Sequence, residues 1–95
     1  MPSIGVLTLE LRLEDSHSLK DKRHVVKSLK DRLRNKFNVA VAEIDYQDLW
    51  QRGLLAAVTV ASDHGHAEQV LQSVEREAAA LLGGQLSSST VEWVE

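Results

Sequence analysis

Five basic residues recur at alternating steps of three and four near the start of the chain: Lys20, Arg23, Lys27, Lys30 and Arg34. Such steps return to the same side of an α-helix, so these side chains form one row, here called the basic stripe. The stripe is about 21 Å long at about 1.5 Å per residue, comparable to several phosphates along a nucleic-acid backbone. The chemistry that such a row of cations could support is anion binding, with RNA as the first candidate anion. The alternative is a solvated helix face, since Lys and Arg are good helix formers.

The distribution of charge along the chain favours anion binding. Residues 20–36 hold eight of the eleven Lys and Arg residues, against two acidic residues, Asp21 and Asp31. The rest of the chain is acidic, and the formal net charge is −3. The acidic residues that normally alternate with basic ones on an exposed helix are therefore scarce in this segment.

A second candidate is the polar segment of residues 45–52, here called the connector. Trp50 could stack on a base or contact a protein partner, with Arg52 beside it and Asp48 nearby. The alternative is that Trp50 and Leu49 fold back as a lid over the open edge of the core. Asp45 and Asp48 could also bind a divalent cation or act as acid and base, although an Asp that caps a loop is commoner.

Other groups of reactive residues have simpler explanations. Asp63, His64, His66 and Glu68 are of metal-ligand type, but at the start of a helix only some of them can converge on one ion. A cap with exposed histidines is the preferred interpretation. The sequence has no cysteine, no phosphate-binding glycine loop and no nucleophile-elbow motif. We therefore predict no catalytic residue, no metal and no cofactor.

The elements that must position these residues alternate in type. Two-residue alternation predicts strands at 4–13 and 85–94, and a run that is continuously apolar apart from Thr59 predicts a strand at 53–61. Residues 39–45 are predicted as a further strand, and helical periodicity predicts helices at about 19–37 and 63–82. Ser18 and Asp21 resemble a capping box at the first helix, and Asn38 is predicted to end that helix in the left-handed conformation. Val25, Val26, Leu29, Leu33 and Phe37 share one arc of this helix and predict its buried face.

The order βαββαβ predicts an α+β, ferredoxin-like domain over residues 1–95. Right-handed crossovers place both helices on one face of an antiparallel sheet with strand order 4-1-3-2. The same order also permits a split arrangement in a dimer. The first and third predicted strands carry no aromatic residue. The base-stacking sheet of an RNA-recognition motif is therefore not expected, and RNA binding would use the helix.

Two absences favour a cytoplasmic protein. No apolar run approaches the roughly 20 residues that span a bilayer, and the N-terminus has no signal-peptide pattern. The lack of cysteine agrees with that compartment.

The stretch from Ser16 to Arg52 resembles the bacterial DUF503, or YlxP-like, family. The similarity covers essentially the whole chain. It rests on Ser18-Leu19-Lys20-Asp21-Lys22-Arg23, Val25-Val26-Lys27-Ser28-Leu29, Arg32-Leu33-Arg34-Asn35-Lys36-Phe37-Asn38-Val39, Ala42-Glu43-Ile44-Asp45 and Gln47-Asp48-Leu49-Trp50-Gln51-Arg52. The resemblance implies a small ferredoxin-like domain and a setting in translation and ribosome maturation. It implies no catalytic residue. Gly53, where relatives are expected to have Ala, departs from the pattern and concerns only the start of the third strand.

These observations lead to one hypothesis with two rivals. The leading hypothesis is a non-enzymatic accessory protein that binds RNA or a ribosomal particle through the first helix, with help from the Trp50 segment. The first rival is a protein-interaction or homodimerisation module whose basic helix meets an acidic partner. The second is a small-ligand enzyme with its site at Asp45 and Asp48.

Overall fold

A computed structural model describes residues 1–94, so that Glu95, the last residue of the predicted domain, lies outside the described part. The elements are β1 (Ser3–Arg12), α1 (Leu19–Lys36), β2 (Ala40–Asp45), β3 (Arg52–Ala61), α2 (His64–Leu82), a 3₁₀ turn (Gly83–Gln85) and β4 (Leu86–Val94). The strands form one antiparallel sheet in the order β2-β3-β1-β4. The predicted ferredoxin-like βαββαβ topology is confirmed.

The core lies between the sheet and its two helices. Leu7, Leu9 and Leu11 of β1 are fully buried beneath the helices, together with Leu13 just after the strand and with Leu55 and Ala57 of β3. The helices contribute residues at helical spacing to the same cluster: Val26, Leu29, Leu33, Leu71, Val74, Ala78 and Leu82. Alternation in the strands and helical spacing above them produce one apolar layer, as the sequence patterns predict.

Gly5 marks the closest approach between the sheet and its neighbours. A Cβ added at this position would lie 2.7 Å from a side-chain carbon of Leu71 and 2.7 Å from the ring of Trp93. Trp93 is directly opposite Gly5 on β4, so the glycine makes room for the indole against the edge of the core.

The first helix begins where it was predicted to begin and ends earlier. The Ser18 hydroxyl accepts from the Asp21 N–H at 3.1 Å, while the Asp21 carboxylate accepts from the His17 N–H. The helix ends at Lys36, and Phe37 follows with a φ of −131°. The prediction of a left-handed Asn38 is wrong, because the extended backbone at Phe37 already directs the chain into β2.

No helix in the described part of the chain is both long and apolar enough to cross a membrane.

Candidate functional site

The basic stripe lies on the flank of α1 that faces away from α2. Lys20, Arg23, Lys27 and Arg34 are exposed and Lys30 is partly exposed. A shallow groove runs along this flank towards β2, which is an edge strand of the sheet. The structure therefore brings the five predicted residues together in one row beside the edge of the sheet.

The cations on the opposite flank of α1 are paired with an acidic residue of α2. Arg32 and Lys36 both reach Glu77 of α2, with N–O distances of 3.2 and 2.7 Å. The hydrogen bond from Lys36 is the largest cause of a lowered pKa at the Glu77 carboxyl, and the hydrogen bond from Arg32 lowers this pKa further. These two cations hold the helices together and are less available to an external anion.

Two members of the basic stripe also have partners. Lys27 pairs with Asp31 at 2.5 Å, one helical turn away, and this hydrogen bond lowers the pKa of the Asp31 carboxyl. Arg34 donates from Nη2 to the Val41 carbonyl oxygen at 2.6 Å. Because β2 is at the sheet edge, this contact satisfies part of the edge backbone.

The remaining three members, Lys20, Arg23 and Lys30, form no ion pair with any residue from 1 to 94. Like Arg34, whose guanidinium group bonds to a backbone carbonyl, they have no carboxylate partner among these residues. An approaching anion would meet them without first having to displace a carboxylate.

Lys22 belongs to α1 but to neither flank, and sequence reasoning missed it. Its side chain is 1% exposed, and its ammonium group lies 2.8 Å from a Glu43 carboxylate oxygen and donates to the Tyr46 carbonyl. A signal was present in the sequence. Lys22 is four residues before Val26 and seven before Leu29, which places it in the middle of the buried arc.

Lys22 fixes the connector against the N-terminal end of α1. Tyr46 has a φ of +62°, a left-handed conformation that is uncommon for a residue with a bulky side chain. Its carbonyl accepts from both Lys22 and the Leu49 N–H. Gln51 adds two hydrogen bonds from its side chain to the carbonyls of Glu14 and Ser16. The connector therefore lies next to the end of the helix that carries Lys20 and Arg23.

The lid interpretation of the connector is wrong. The side chains of Trp50 and Leu49 are 52% and 46% exposed, and neither belongs to the buried cluster. The hydrogen bonds that hold the connector go through its backbone and through Gln51, so the indole is left at the surface. A shallow depression lined by Asp48, Trp50 and Arg52 lies at this point.

The side chain of Arg52 is more constrained by contacts than the side chain of Trp50. Its guanidinium group pairs with Glu10 at 2.7 Å, bonds to the Tyr46 hydroxyl at 3.1 Å and stacks on the Tyr46 ring at 4.1 Å. The hydrogen bond that Arg52 donates to the Glu10 carboxylate raises the pKa of Arg52. These contacts hold Arg52 at the start of β3, so it stiffens the end of the connector.

The candidate acid and metal-ligand residues are engaged in local contacts. Asp63 caps α2 by accepting from the His66 N–H, and Asp45 accepts from the Tyr46 N–H. His64 lies 3.3 Å from Glu68 and packs on the Trp93 ring. Within residues 1–94, no three carboxylate or imidazole side chains come close enough to hold a metal ion.

The strand order and the helix layer place the chain among the ferredoxin-like proteins, and comparison with known proteins identifies its family. The chain belongs to the DUF503 family, described as a protein of unknown function, whose model matches residues 4–90. It is similar to the uncharacterized protein YlxP of Bacillus subtilis, with 44% identity over 71 residues, which cover 75% of this chain and 77% of YlxP.

Solved structures with little sequence identity share the fold. The de novo designed protein Foldit4 superposes with a TM-score of 0.60 at 12% identity, covering 100% of this chain and 98% of the design. A dimeric ferredoxin-like protein of unknown function from Thermobifida fusca gives a TM-score of 0.51 at 17% identity, covering 96% of this chain and 90% of the other. At these identities the likeness concerns the fold alone.

Proposed function

We propose that this protein is a non-enzymatic accessory factor that binds RNA, alone or within a ribosomal particle, through the basic stripe and the exposed indole of Trp50. The observation that carries the proposal is the difference between the two flanks of α1. The cations on the α2 side are paired with Glu77, whereas Lys20, Arg23 and Lys30 on the outer side have no acidic partner among residues 1–94.

The chemistry of the surface suits a flexible phosphate chain. A row of cations neutralises phosphates and releases their counterions, a contribution that does not depend on sequence. The connector that carries Trp50 is held against the N-terminal end of α1, the end at which the row begins with Lys20, and an exposed aromatic ring can stack on an unpaired base. Single-stranded RNA offers both groups at once.

The DUF503 resemblance implies a setting in translation, which agrees with this proposal. The proposal includes a cytoplasmic localisation. Nothing in the connector favours catalysis, since Asp45 caps its own loop and Asp48 is exposed.

Two variants of equal charge provide the test. Arg23→Gln/Lys30→Gln removes two unpaired cations from the stripe, and Arg32→Gln/Lys36→Gln removes one Arg and one Lys from the paired flank. Binding of a fluorescent mixed-sequence single-stranded RNA, and of purified ribosomal subunits, is titrated at several salt concentrations. The first variant should lose affinity, and its slope of log affinity against log salt should be shallower by about 1.4, two phosphate contacts in single-stranded RNA. The second should keep nearly the wild-type slope.

Arg34 is left unchanged in this experiment because its contact with Val41 is structural. Equal losses in the two variants would mean that net charge alone governs binding and that the stripe is not a site. If the wild type binds no RNA or ribosomal subunit at low salt, the proposal is wrong. Binding of polyglutamate in the same titration would then favour the rival, an acidic protein partner.

A further inference from the structure

The two edges of the sheet are protected against further pairing to different degrees. β2 has six residues, its pairing with β3 is interrupted by an irregularity, and Arg34 donates to its Val41 carbonyl. β4 has nine residues and pairs regularly with β1 over residues 88–94. Proteins commonly shorten, bend or charge an edge strand to prevent pairing with another chain, yet Glu92 is the one charged residue of β4. β4 is therefore the edge at which the sheet can be extended.

Half of the backbone groups of β4 point away from the sheet. In an antiparallel ladder every second residue of an edge strand exchanges N–H and C=O bonds with its neighbour, and the residues between direct theirs outwards. The backbone of residues 88–94 bonds to no segment of the described chain other than β1. An extended peptide binds such an edge by adding a strand to the sheet.

A groove lies beside β4 on the helix side of the sheet, between this strand and α2, and is here called the β4 groove. It has a volume of about 280 Å³ and is lined by three apolar and three polar residues: Leu71, Val91, Trp93, Glu68, Gln72 and Glu75. Val91 is 43% exposed, although it points to the same side of the sheet as the buried Leu7 directly opposite it on β1. Side chains alternate along a strand, so every second side chain of a strand added to β4 would lie over this groove.

The α2 side of the β4 groove is acidic. Glu68 and Glu75 form no ion pair with a Lys or Arg among residues 1–94, and Glu68 contacts His64 at 3.3 Å. The Ser89 hydroxyl donates to the Glu75 carboxylate, which places that carboxylate over β4. Arg76, the one Lys or Arg residue of α2, does not line the groove. An apolar segment with basic residues is complementary to this combination of surfaces.

The spacing of the two carboxylates matches alternate positions of a strand. Glu68 and Glu75 are seven residues apart on α2, about 10.5 Å at about 1.5 Å per residue. In an added strand, side chains four residues apart lie on the same side and about 13 Å apart. The flexible side chains of Lys and Arg compensate for this difference. A pattern of basic-x-apolar-x-basic residues therefore places one cation near each carboxylate and the apolar side chain between them, over Val91.

A second copy of this chain does not supply such a strand. Pairing of β4 with β4 of another copy would bring Glu68 and Glu75 of both copies to one groove, where like charges repel. Eight of the eleven Lys and Arg residues lie within residues 20–36, inside α1, and are not available at strand positions. The occupant is therefore a segment of another protein.

We propose that the β4 edge binds an extended basic segment of a partner protein, which adds a fifth strand to the sheet. The apolar side chain of the segment packs on Val91 and Trp93, its two basic side chains pair with Glu68 and Glu75, and its backbone bonds to the outward groups of β4. This inference goes beyond the proposed RNA binding and does not depend on it, because the basic stripe lies beside β2, at the other edge of the sheet.

Short peptides test the two parts of this arrangement. The probe is an amino-terminally fluorescein-labelled peptide, Thr-Lys-Thr-Val-Thr-Lys-Thr, and fluorescence anisotropy at low salt measures its binding. A matched peptide with Glu in place of both Lys should bind more weakly by roughly tenfold or more, since two charge pairs change from attraction to repulsion. Two further peptides carry N-methyl groups on alternate residues, one on the Lys and Val positions and the other on the Thr positions between them. One of these two should lose binding, because its methyl groups block the side that faces β4.

Charge reversal in the groove tests the role of the carboxylates. Glu68→Lys/Glu75→Lys should prefer the Glu peptide to the Lys peptide. Glu14→Lys/Asp15→Lys makes the same change of net charge in the exposed loop after β1 and should keep the wild-type preference. Circular dichroism establishes that both variants are folded, and the N-methylated peptides test the wild type without any substitution.

Three results would overturn the inference. In the first, the wild type binds neither the Lys nor the Glu peptide at the highest concentration reached, or binds both equally. In the second, Glu14→Lys/Asp15→Lys reverses the preference as fully as Glu68→Lys/Glu75→Lys, so that net charge alone decides. In the third, both N-methylated peptides bind as well as the unmodified one, so that the backbone of β4 is not used.

Discussion

Lys22 shows at the scale of one residue how a charge in the sequence can have a purely structural role. It belongs to the segment with the highest density of basic residues, yet its ammonium group contacts Glu43 and the Tyr46 carbonyl instead of solvent. Counting charges assigns Lys22 to the anion-binding helix, whereas its position in the buried arc assigns it to the core. The second observation is the correct one here. Burying an ammonium group is costly unless the ion is paired, and Lys22 is paired with Glu43.

We expect Lys22→Met to destabilise the fold by about 2–4 kcal/mol, because Glu43 would lose its partner in a largely buried position. The double variant Lys22→Met/Glu43→Leu should recover most of that loss, since the Tyr46 carbonyl still accepts from the Leu49 N–H. Urea titration measures both free energies of unfolding. Lys20→Met, at an exposed position two residues earlier, is the control and should change stability by less than about 0.5 kcal/mol. A double variant that is less stable than Lys22→Met would contradict this account.

At the scale of the elements, sequence patterns predict most of what the structure contains. Periodicity suffices for β1, β4 and the two helices, and a continuous apolar run suffices for β3. The Asn38 prediction failed because the end of α1 depends on where β2 must pair with β3, which is a tertiary constraint. The exposure of Trp50 was undecidable from the sequence, since it depends on Lys22 and Gln51 holding the connector by its backbone.

The buried arc of α1 has a direct test. Leu33→Ala should destabilise the fold by about 2–5 kcal/mol, because Leu33 is fully buried between α1 and the sheet and its loss leaves a cavity. Denaturant titration gives the free energy. Ser28→Ala on the exposed side of the same helix serves as a control for helix propensity. A loss below about 0.5 kcal/mol for Leu33→Ala would show that this side of the helix is not in the core.

The contact between the two helices should depend on pH. Because Lys36 and Arg32 lower the pKa of Glu77 in the folded state, the ionised carboxylate stabilises the fold above the ordinary value of 4.5. That contribution is lost as the pH falls through the lowered pKa. Glu77→Gln should therefore be less stable than the wild type at neutral pH, and the difference should disappear in acid.

Urea titrations at a series of pH values measure this difference. Added salt should reduce it at neutral pH, since the pair is near the surface. Glu14→Gln changes an exposed carboxylate that has no ion pair among residues 1–94, and it should show no comparable difference. If the Glu77→Gln difference grows in acid, the proposed direction of the linkage is wrong.

At the scale of the whole molecule, the proposed RNA surface combines two regions. The basic stripe lies on α1, on the helix side of the sheet, whereas Arg52 at the end of the connector faces the helix-free side, where it pairs with Glu10. The connector is also held to the helix side, through Lys22 and the side chain of Gln51. It therefore lies at one end of the molecule, next to the end of α1 that carries Lys20 and Arg23.

Trp50 allows stacking to be separated from charge within the RNA surface. Trp50→Ala should weaken RNA binding by about 1–3 kcal/mol, the usual cost of losing one base–aromatic stack, and should leave the salt slope unchanged. Leu49→Ala removes a neighbouring exposed apolar side chain that cannot stack and should have a smaller effect.

Fluorescence gives a second measurement of stacking. The sequence has two tryptophans, so in a Trp93→Phe background the tryptophan fluorescence comes from Trp50 alone, and it should be quenched when RNA is added. If Trp50→Ala keeps its RNA affinity and Trp50 fluorescence does not change on adding RNA, while Arg23→Gln/Lys30→Gln clearly loses affinity, the RNA interface is restricted to α1. A change in the salt slope of Trp50→Ala would instead mean that the substitution moves the cations beside it, because an uncharged ring releases no counterions of its own.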